Sequence, residues 1–243
     1  MSLIIASNIT TEAVRRLDRG EAIAIPLPSP LAYCVIATTP QAINRAKGRP
    51  QNQEVASWTS DANTILDQLE LDPNEAKLLP WMLHTEGLTA VIPPRKDQPV
   101  PCHWQQSYRN GRVLLFGVRW RHLDDWMAAY KRPLYVSSAN RTGMTSAVTA
   151  AEVKAQLPNE TFIVDGDKLR DPVIKHGSTT MIALGRGPIQ VVRHGIHDAG
   201  FGSSQAWISD LLSRAPSSLS RPAGCSHSAA NKVISVCQSK QLL

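Results

Sequence analysis

The chain has 243 residues, of which 42% are hydrophobic, 19% charged and 5% aromatic. That is the make-up of one ordinary globular domain with room for a short appendage, and it excludes a collagen-like chain, a coiled coil and a disulfide knot. The net charge of +6 and a pI near 9.3 suit an anionic partner such as a nucleotide or RNA without demanding one.

About half of the positive surplus lies in the C-terminal segment, where Arg214, Arg221, Lys232 and Lys240 face Asp210 alone. The longest apolar stretches, such as residues 113–118, fall far short of the roughly 20 residues that cross a bilayer. Residues 1–6 carry neither a basic leader nor a signal-like apolar core, so a cytoplasmic location without a membrane partner is expected. Cys34, Cys102, Cys225 and Cys237 are scattered, with no C-x-x-C and no paired histidine spacing, which suggests neither a zinc cage nor a disulfide framework.

Residues 11–19 offer a threonine cap, helix formers and a Gly20 stop, followed by an apolar strand over 22–25 that ends at Pro26. A second apolar run, 33–37, leads into a short helix opened by Thr39 or Pro40 and running to about Ala46. Helical patterns recur at 62–69, 73–79, 123–130 and 149–157, and strand-like runs at 88–92, 113–118, 134–137, 162–164, 179–184 and 189–192. Interleaving of this kind predicts an α/β sheet protein. Residues 93–112, rich in proline, glutamine and charge, have no regular pattern, and a loop this long is often a lid or a binding loop. Past about Gly200 serine dominates. The chain therefore divides into a domain over 1–200 and a flexible tail over 201–243, with one possible helix at 205–213 and a disordered stretch over 216–243.

Two segments carry chemistry. Lys47-Gly48-Arg49-Pro50 sets two cations around a glycine, so that backbone can approach an anion while lysine supplies a point charge and arginine a fork, although the same four residues also describe a solvated basic turn. Ser137-Ser138-Ala139-Asn140-Arg141-Thr142-Gly143 follows an apolar strand, presenting hydroxyls, an amide and a guanidinium where open α/β sheets place ligands. Read alone, it also fits a capped strand-to-loop turn. His194-x-x-His197 has the spacing of a metal pair but no acidic third ligand, and reads as surface. His84 and His103 read as solvated loop residues more than as acid–base groups. Trp58, Trp81, Trp104, Trp120 and Trp126 read as core or rim packing.

Taken in order, Lys47-Gly48-Arg49-Pro50, Phe116-Gly117-Val118-Arg119, Ser138-Ala139-Asn140 with Arg141-Thr142-Gly143, Thr149-Ala150-Ala151-Glu152-Val153, Asp165-Gly166, Ser178-Thr179-Thr180 and Arg193-His194-Gly195-Ile196 resemble the Sua5/YrdC/YciO family over residues 8–197. The resemblance implies a twisted mixed α/β sheet with flanking helices around a basic cavity. It also implies a threonylcarbamoyl-adenylate synthase activity, in which L-threonine, bicarbonate and ATP react with Mg²⁺ to give threonylcarbamoyl-AMP and pyrophosphate for tRNA modification at adenosine 37. Carried over, Lys47, Arg49, Ser138, Asn140, Ser178 and Arg193 would line the ATP site, and Arg119 would sit near the acceptor carboxylate. No protein ligand to a metal is assigned and no covalent nucleophile is needed, because displacement at the α-phosphate is helped mainly by positioning and by cations.

This chain departs from the family pattern in two places. Where the family has Pro-Thr-Asp/Glu-Thr-x-Tyr-Gly-Leu, it reads Pro26-Leu27-Pro28-Ser29-Pro30-Leu31-Ala32-Tyr33, leaving Ser29 as the one hydroxyl able to replace the second threonine at the acceptor. After Pro50 it reads Gln51-Asn52-Gln53-Glu54-Val55, without the usual basic residues. Two alternatives follow: a carbamoyl-adenylate enzyme or carbamoyltransferase with another small acceptor, or a non-catalytic relative that binds double-stranded RNA or nucleotide through the basic cavity.

Overall fold

The computed structural model describes residues 7–220, and residues 221–243 of the tail expected over 201–243 lie outside them. The described chain runs α1 (Ser7–Asp18), β1 (Ile23–Ile25), β2 (Cys34–Ala37), α2 (Pro40–Ala46), β3 (Ala56–Trp58), α3 (Pro73–His84), β4 (Thr89–Ile92), β5 (Tyr108–Arg109), β6 (Arg112–Phe116), α4 (Asp124–Ala129), β7 (Tyr135–Ser138), α5 (Ala150–Gln156), β8 (Phe162–Ile163), β9 (Met181–Ala183), β10 (Gln190–Arg193), α6 (Ser204–Ser213) and α7 (Ser217–Ser220). The strands form one mixed sheet in the order β10-β9-β4-β6-β3-β7-β2-β1-β8, with β5 paired to β6. This is the expected α/β architecture.

Alternation along each strand assigns side chains to two faces. On one face Ile23, Ile25, Cys34, Ile36, Trp58 and Val136 pack with Ala13 and Leu17 of α1 and with Trp126 and Met127 of α4. On the other, Ala24, Val35, Ala37 and Tyr135 meet Ile43 of α2 and Val153 of α5. Further along that second face Ala90, Ile92, Val113, Leu115 and Ile182 meet Leu79, Met82 and Leu83 of α3 and Trp207 and Leu211 of α6.

Several expectations are corrected. α3 does not stop at residue 79 but continues through Pro80, because Trp81, Met82 and Leu83 are buried against the sheet and that burial outweighs the roughly 3 kcal/mol a proline costs inside a helix. A 3-10 helix, Ala62–Gln68, stands where an α-helix was expected. Two strands went unread. β3 is three residues long, too short to show alternation, yet it sits at the centre between parallel β6 and antiparallel β7. β5 turns into β6 through Asn110-Gly111, a pair strongly favoured in two-residue hairpins.

Residues 93–112 are not a free lid, since Trp104 is buried and the Tyr135 hydroxyl donates to the His103 carbonyl at 2.8 Å. Packing also runs past the expected boundary at residue 200. Ser203 caps α6, whose Trp207 and Leu211 are fully buried in the core, a role that the serine-rich composition conceals. His84 is no loop residue but lies buried at the end of α3, its Nε2 accepting from the Ala62 amide at 3.0 Å. Of the tryptophans, Trp58, Trp81, Trp104 and Trp126 are buried and Trp120 partly so.

Candidate active site

A cavity of about 250 Å³ opens over the centre of the sheet. Its floor follows from the register: Cys34 lies beside Ser138, Val136 beside Ala56, and Thr89 between Phe116 and Met181, with Leu114 completing the surface. Arg49, Gln53 and Glu54 form one wall, Gly177, Ser178, Thr179 and Arg193 another, and Leu27, Leu31, Ala32 and Tyr33 a third.

The first wall is built from the end of α2. Thr39 caps the helix and Pro40 opens it, and Gly48, at φ 60°, takes the left-handed turn that sends Arg49 back toward the sheet. Asn44, fully buried, fixes the turn: its Nδ2 donates to the carbonyls of Gln51 at 2.8 Å and Gln53 at 2.9 Å, while its Oδ1 accepts from Arg49 Nε at 2.6 Å. Arg49 also donates to the Glu54 carbonyl at 3.3 Å.

Lys47 points inward, 2% exposed. Its ammonium donates to the Ser138 carbonyl, to the Asn140 carbonyl at 2.7 Å and to Asn140 Oδ1 at 3.0 Å. Asn140 Oδ1 accepts also from Ser138 Oγ at 2.5 Å, and its Nδ2 donates to the carbonyls of Arg141 and Met144 at 3.0 and 2.8 Å. Burial, then the neighbouring charges of Arg49 and Arg193, push the lysine pKa down to about 7. Two guanidinium groups, Arg49 and Arg193, share the cavity with a single acid, Glu54, whose pKa is raised by burial.

The second wall is held by the segment that follows β10. Asp198, buried, accepts from Thr180 Oγ1 at 2.6 Å and from the Gly195 amide at 2.8 Å, and its other oxygen meets His194 Nδ1. The Ile196 amide donates to the Ser178 carbonyl at 2.8 Å, and the Thr180 amide to His197 Nδ1 at 3.2 Å. A side chain on Gly195 would place its Cβ 2.4 to 2.6 Å from the backbone of residues 178–180, so the clasp closes only over glycine. Arg193 donates to the Thr179 carbonyl at 3.2 Å and otherwise remains accessible. His194 and His197 serve this clasp, and among the described residues no group of three His, Cys, Asp or Glu side chains could hold a metal. Burial lowers the His197 pKa to about 4.

Of the residues singled out from the sequence, Arg49, Ser138, Ser178 and Arg193 line the cavity. Lys47 and Asn140 stand behind its wall, committed to each other. Ser29 turns away, its Oγ 2.9 Å from His176 Nε2 and accepting from the Asp171 amide at 3.1 Å. Arg119 lies in a separate cleft with Thr59, Asp61, His103, Tyr130 and Arg132, and its amide donates to the His84 carbonyl at 2.9 Å. Sequence reasoning missed Glu54, Thr89 and Asp198. Glu54 stood in the stretch already marked as lacking basic residues, and Asp198 stands four residues after His194, a spacing that leads from surface to core.

A mixed sheet flanked by helices, with an arginine-lined cavity over its centre, defines a class of mixed α/β domain. Residues 15–195 match the Sua5/YciO/YrdC family, described as telomere recombination, and the chain belongs to it. No curated protein matches the chain. Among solved structures it is similar to P. abyssi Sua5 complexed with L-threonine (22% identity, TM-score 0.56, covering 77% of this chain and 54% of that one). It is similar also to E. coli YciO (18%, TM-score 0.58, 78% and 90%) and to full-length HypF in a phosphate- and nucleotide-bound form (13%, TM-score 0.54, 78% and 24%). The chain thus spans little more than half of the Sua5 chain and about a quarter of HypF. Among the described residues no helix is long and apolar enough to cross a membrane.

Proposed function

We propose that the cavity binds ATP and makes a carbamoyl-adenylate, with L-threonine and bicarbonate as the default co-substrates. The observation that carries this reading is the pair of guanidinium groups, Arg49 and Arg193, that line the cavity with Glu54 as the one acid among the lining residues. Cations that outnumber the carboxylates around a cavity favour an occupant with several negative charges, and a triphosphate supplies them. Family membership and the L-threonine bound in P. abyssi Sua5 support the choice of co-substrates.

In the reaction the amine nitrogen bonds the bicarbonate carbon and one bicarbonate oxygen leaves as water. The resulting carbamate oxygen then attacks the α-phosphorus, and the bond from that phosphorus to the bridging oxygen breaks to release pyrophosphate. Arg49 and Arg193 hold phosphate oxygens, and Ser138 and Ser178 border them. Mg²⁺ enters with the phosphates of ATP, as an ion that prefers few protein ligands.

The test is calorimetric titration with Mg-ATP of the wild-type chain and of Arg49→Ala and Arg193→Ala, alongside pyrophosphate release with bicarbonate and with or without L-threonine. Binding weakened about tenfold or more by either change, together with acceptor-dependent release, supports the enzyme. Absence of ATP binding, with RNA binding that falls steeply as salt rises, would replace it by the RNA-binding alternative.

A further inference from the structure

We infer that Glu54 is the group that receives the acceptor's ammonium nitrogen and takes its proton, making the amine the nucleophile toward bicarbonate. This rests on the carbamoyl-adenylate reading and deepens it. Among the described residues that line the cavity Glu54 is the one carboxylate, and the 26–33 loop brings none, contributing Leu27, Leu31, Ala32 and Tyr33. The Glu54 side chain is half-buried and has no hydrogen-bond or ion-pair partner among the described residues. Its main chain, by contrast, is fixed: the Glu54 carbonyl accepts from Arg49 Nη2 at 3.3 Å, the Gln53 carbonyl accepts from Asn44 Nδ2 at 2.9 Å, and β3 begins two residues later, at Ala56.

The charges around Glu54 come from its own loop, with Arg49, from β10, with Arg193, and from β5, with Arg109. Arg49 donates to Asn44 and to the Glu54 carbonyl, Arg193 to the Thr179 carbonyl, and neither pairs with the Glu54 carboxylate. The cavity thus carries an acidic pole apart from its guanidinium groups. An α-amino acid beside a triphosphate fits that division, with the ammonium toward Glu54 and the phosphates toward the arginines. The other titratable lining groups hold their protons, since burial pushes the Tyr33 hydroxyl and the Cys34 thiol up. Burial raises the Glu54 pKa as well, against the opposing field of Arg109, and the same loss of water lowers that of an ammonium brought beside it. The two values approach one another, which favours proton transfer between them. In the step one ammonium N–H bond breaks, its proton passes to a Glu54 carboxylate oxygen, and the freed electron pair forms the bond to the bicarbonate carbon. A second N–H proton leaves with the bicarbonate hydroxyl as water.

The experiment measures pyrophosphate release from Mg-ATP, bicarbonate and L-threonine across pH for the full chain and for Glu54→Gln. The expected result is a kcat lowered about a hundredfold in the variant at neutral pH, with ATP affinity retained. The gap should close as pH rises and the threonine amine loses its proton unaided, and Glu54→Asp should recover part of the rate. Lys47, with a pKa of about 7 behind the wall, acts alike in both proteins and cancels in their ratio. Full activity in Glu54→Gln, or a gap that stays constant with pH, overturns the inference. A second measurement needs neither turnover nor a variant: calorimetric titration of the ATP-saturated wild-type chain, without bicarbonate, with L-threonine and with 2,3-dihydroxybutanoate, which has a hydroxyl in place of the ammonium. Threonine bound about tenfold or more tightly upholds the inference, and equal or absent threonine binding overturns it. Failure of the wild-type chain to bind ATP removes the carbamoyl-adenylate reading itself, a result separate from the comparison of the two acids.

Discussion

The two cationic walls of the cavity place an arginine in similar surroundings by opposite means. On the wall formed by residues 44–54, an amide and an ammonium are buried and saturated: Asn44 orients Arg49, and Lys47 ties α2 to the end of β7. On the wall formed by residues 177–198 the buried group is a carboxylate, Asp198, which gathers Thr180 and Gly195 while Arg193 extends from the clasp with a single carbonyl contact. The difference teaches that a charge written into a motif can serve as a structural tie as well as a ligand. Lys47 spends its donors on the protein, whereas Arg193 makes one carbonyl contact and is otherwise exposed.

The sharpest way to break the comparison is to remove the two buried groups. Lys47→Met removes the ammonium that three oxygens of residues 138 and 140 accept from and is expected to cost about 2 kcal/mol or more of stability by urea unfolding. Asp198→Ala strands the Gly195 amide and the Thr180 hydroxyl and is expected to cost about 2 kcal/mol, with weaker ATP binding as Ser178 and Arg193 lose their support. Equal tolerance of both changes would erase the distinction between a buried tie and a clasp.

pH sharpens it further. Folded Lys47 has a pKa near 7 against an ordinary 10.5, so between those values the unfolded chain binds more protons and stability rises with pH. The contribution is fully present above pH 10.5, is lost as pH falls to about 7, and is level below. The slope across that window, measured by denaturation, should flatten in Lys47→Met. Because a bound anion favours the charged lysine, ATP binding near pH 8 should take up protons, seen as a binding enthalpy that varies with the buffer's ionisation enthalpy. The smallest expected effect is that of Arg119→Ala. Standing in the separate cleft, it should leave ATP affinity unchanged and stability within about 0.5 kcal/mol of wild type.

Much of this was legible in the chain itself. Apolar runs bounded by glycine, proline and cap residues marked β1, β2, β4, β6, β7 and the helices α2 and α5 within a residue or two, because local propensity and burial agree there. They disagree at Pro80, where tertiary burial carries α3 past a residue that ends helices. They disagree again at residues 204–213, where a serine-rich sequence hides Trp207 in the core.

The sequence by itself determined the order of the motifs, the basic balance, the glycines at 48 and 195 and the loss of threonine and acid from the 26–33 loop. Those are properties of residue identity and spacing. Only the tertiary structure decided which motif residues share the cavity: Arg49, Ser138, Ser178 and Arg193 meet there, while Ser29 and Arg119 lie elsewhere and Lys47 turns behind the wall. The reason is that side-chain direction at a strand end or turn is set by hydrogen bonds to distant residues, such as Lys47 to Asn140 or Ser29 to His176, and no local pattern encodes them.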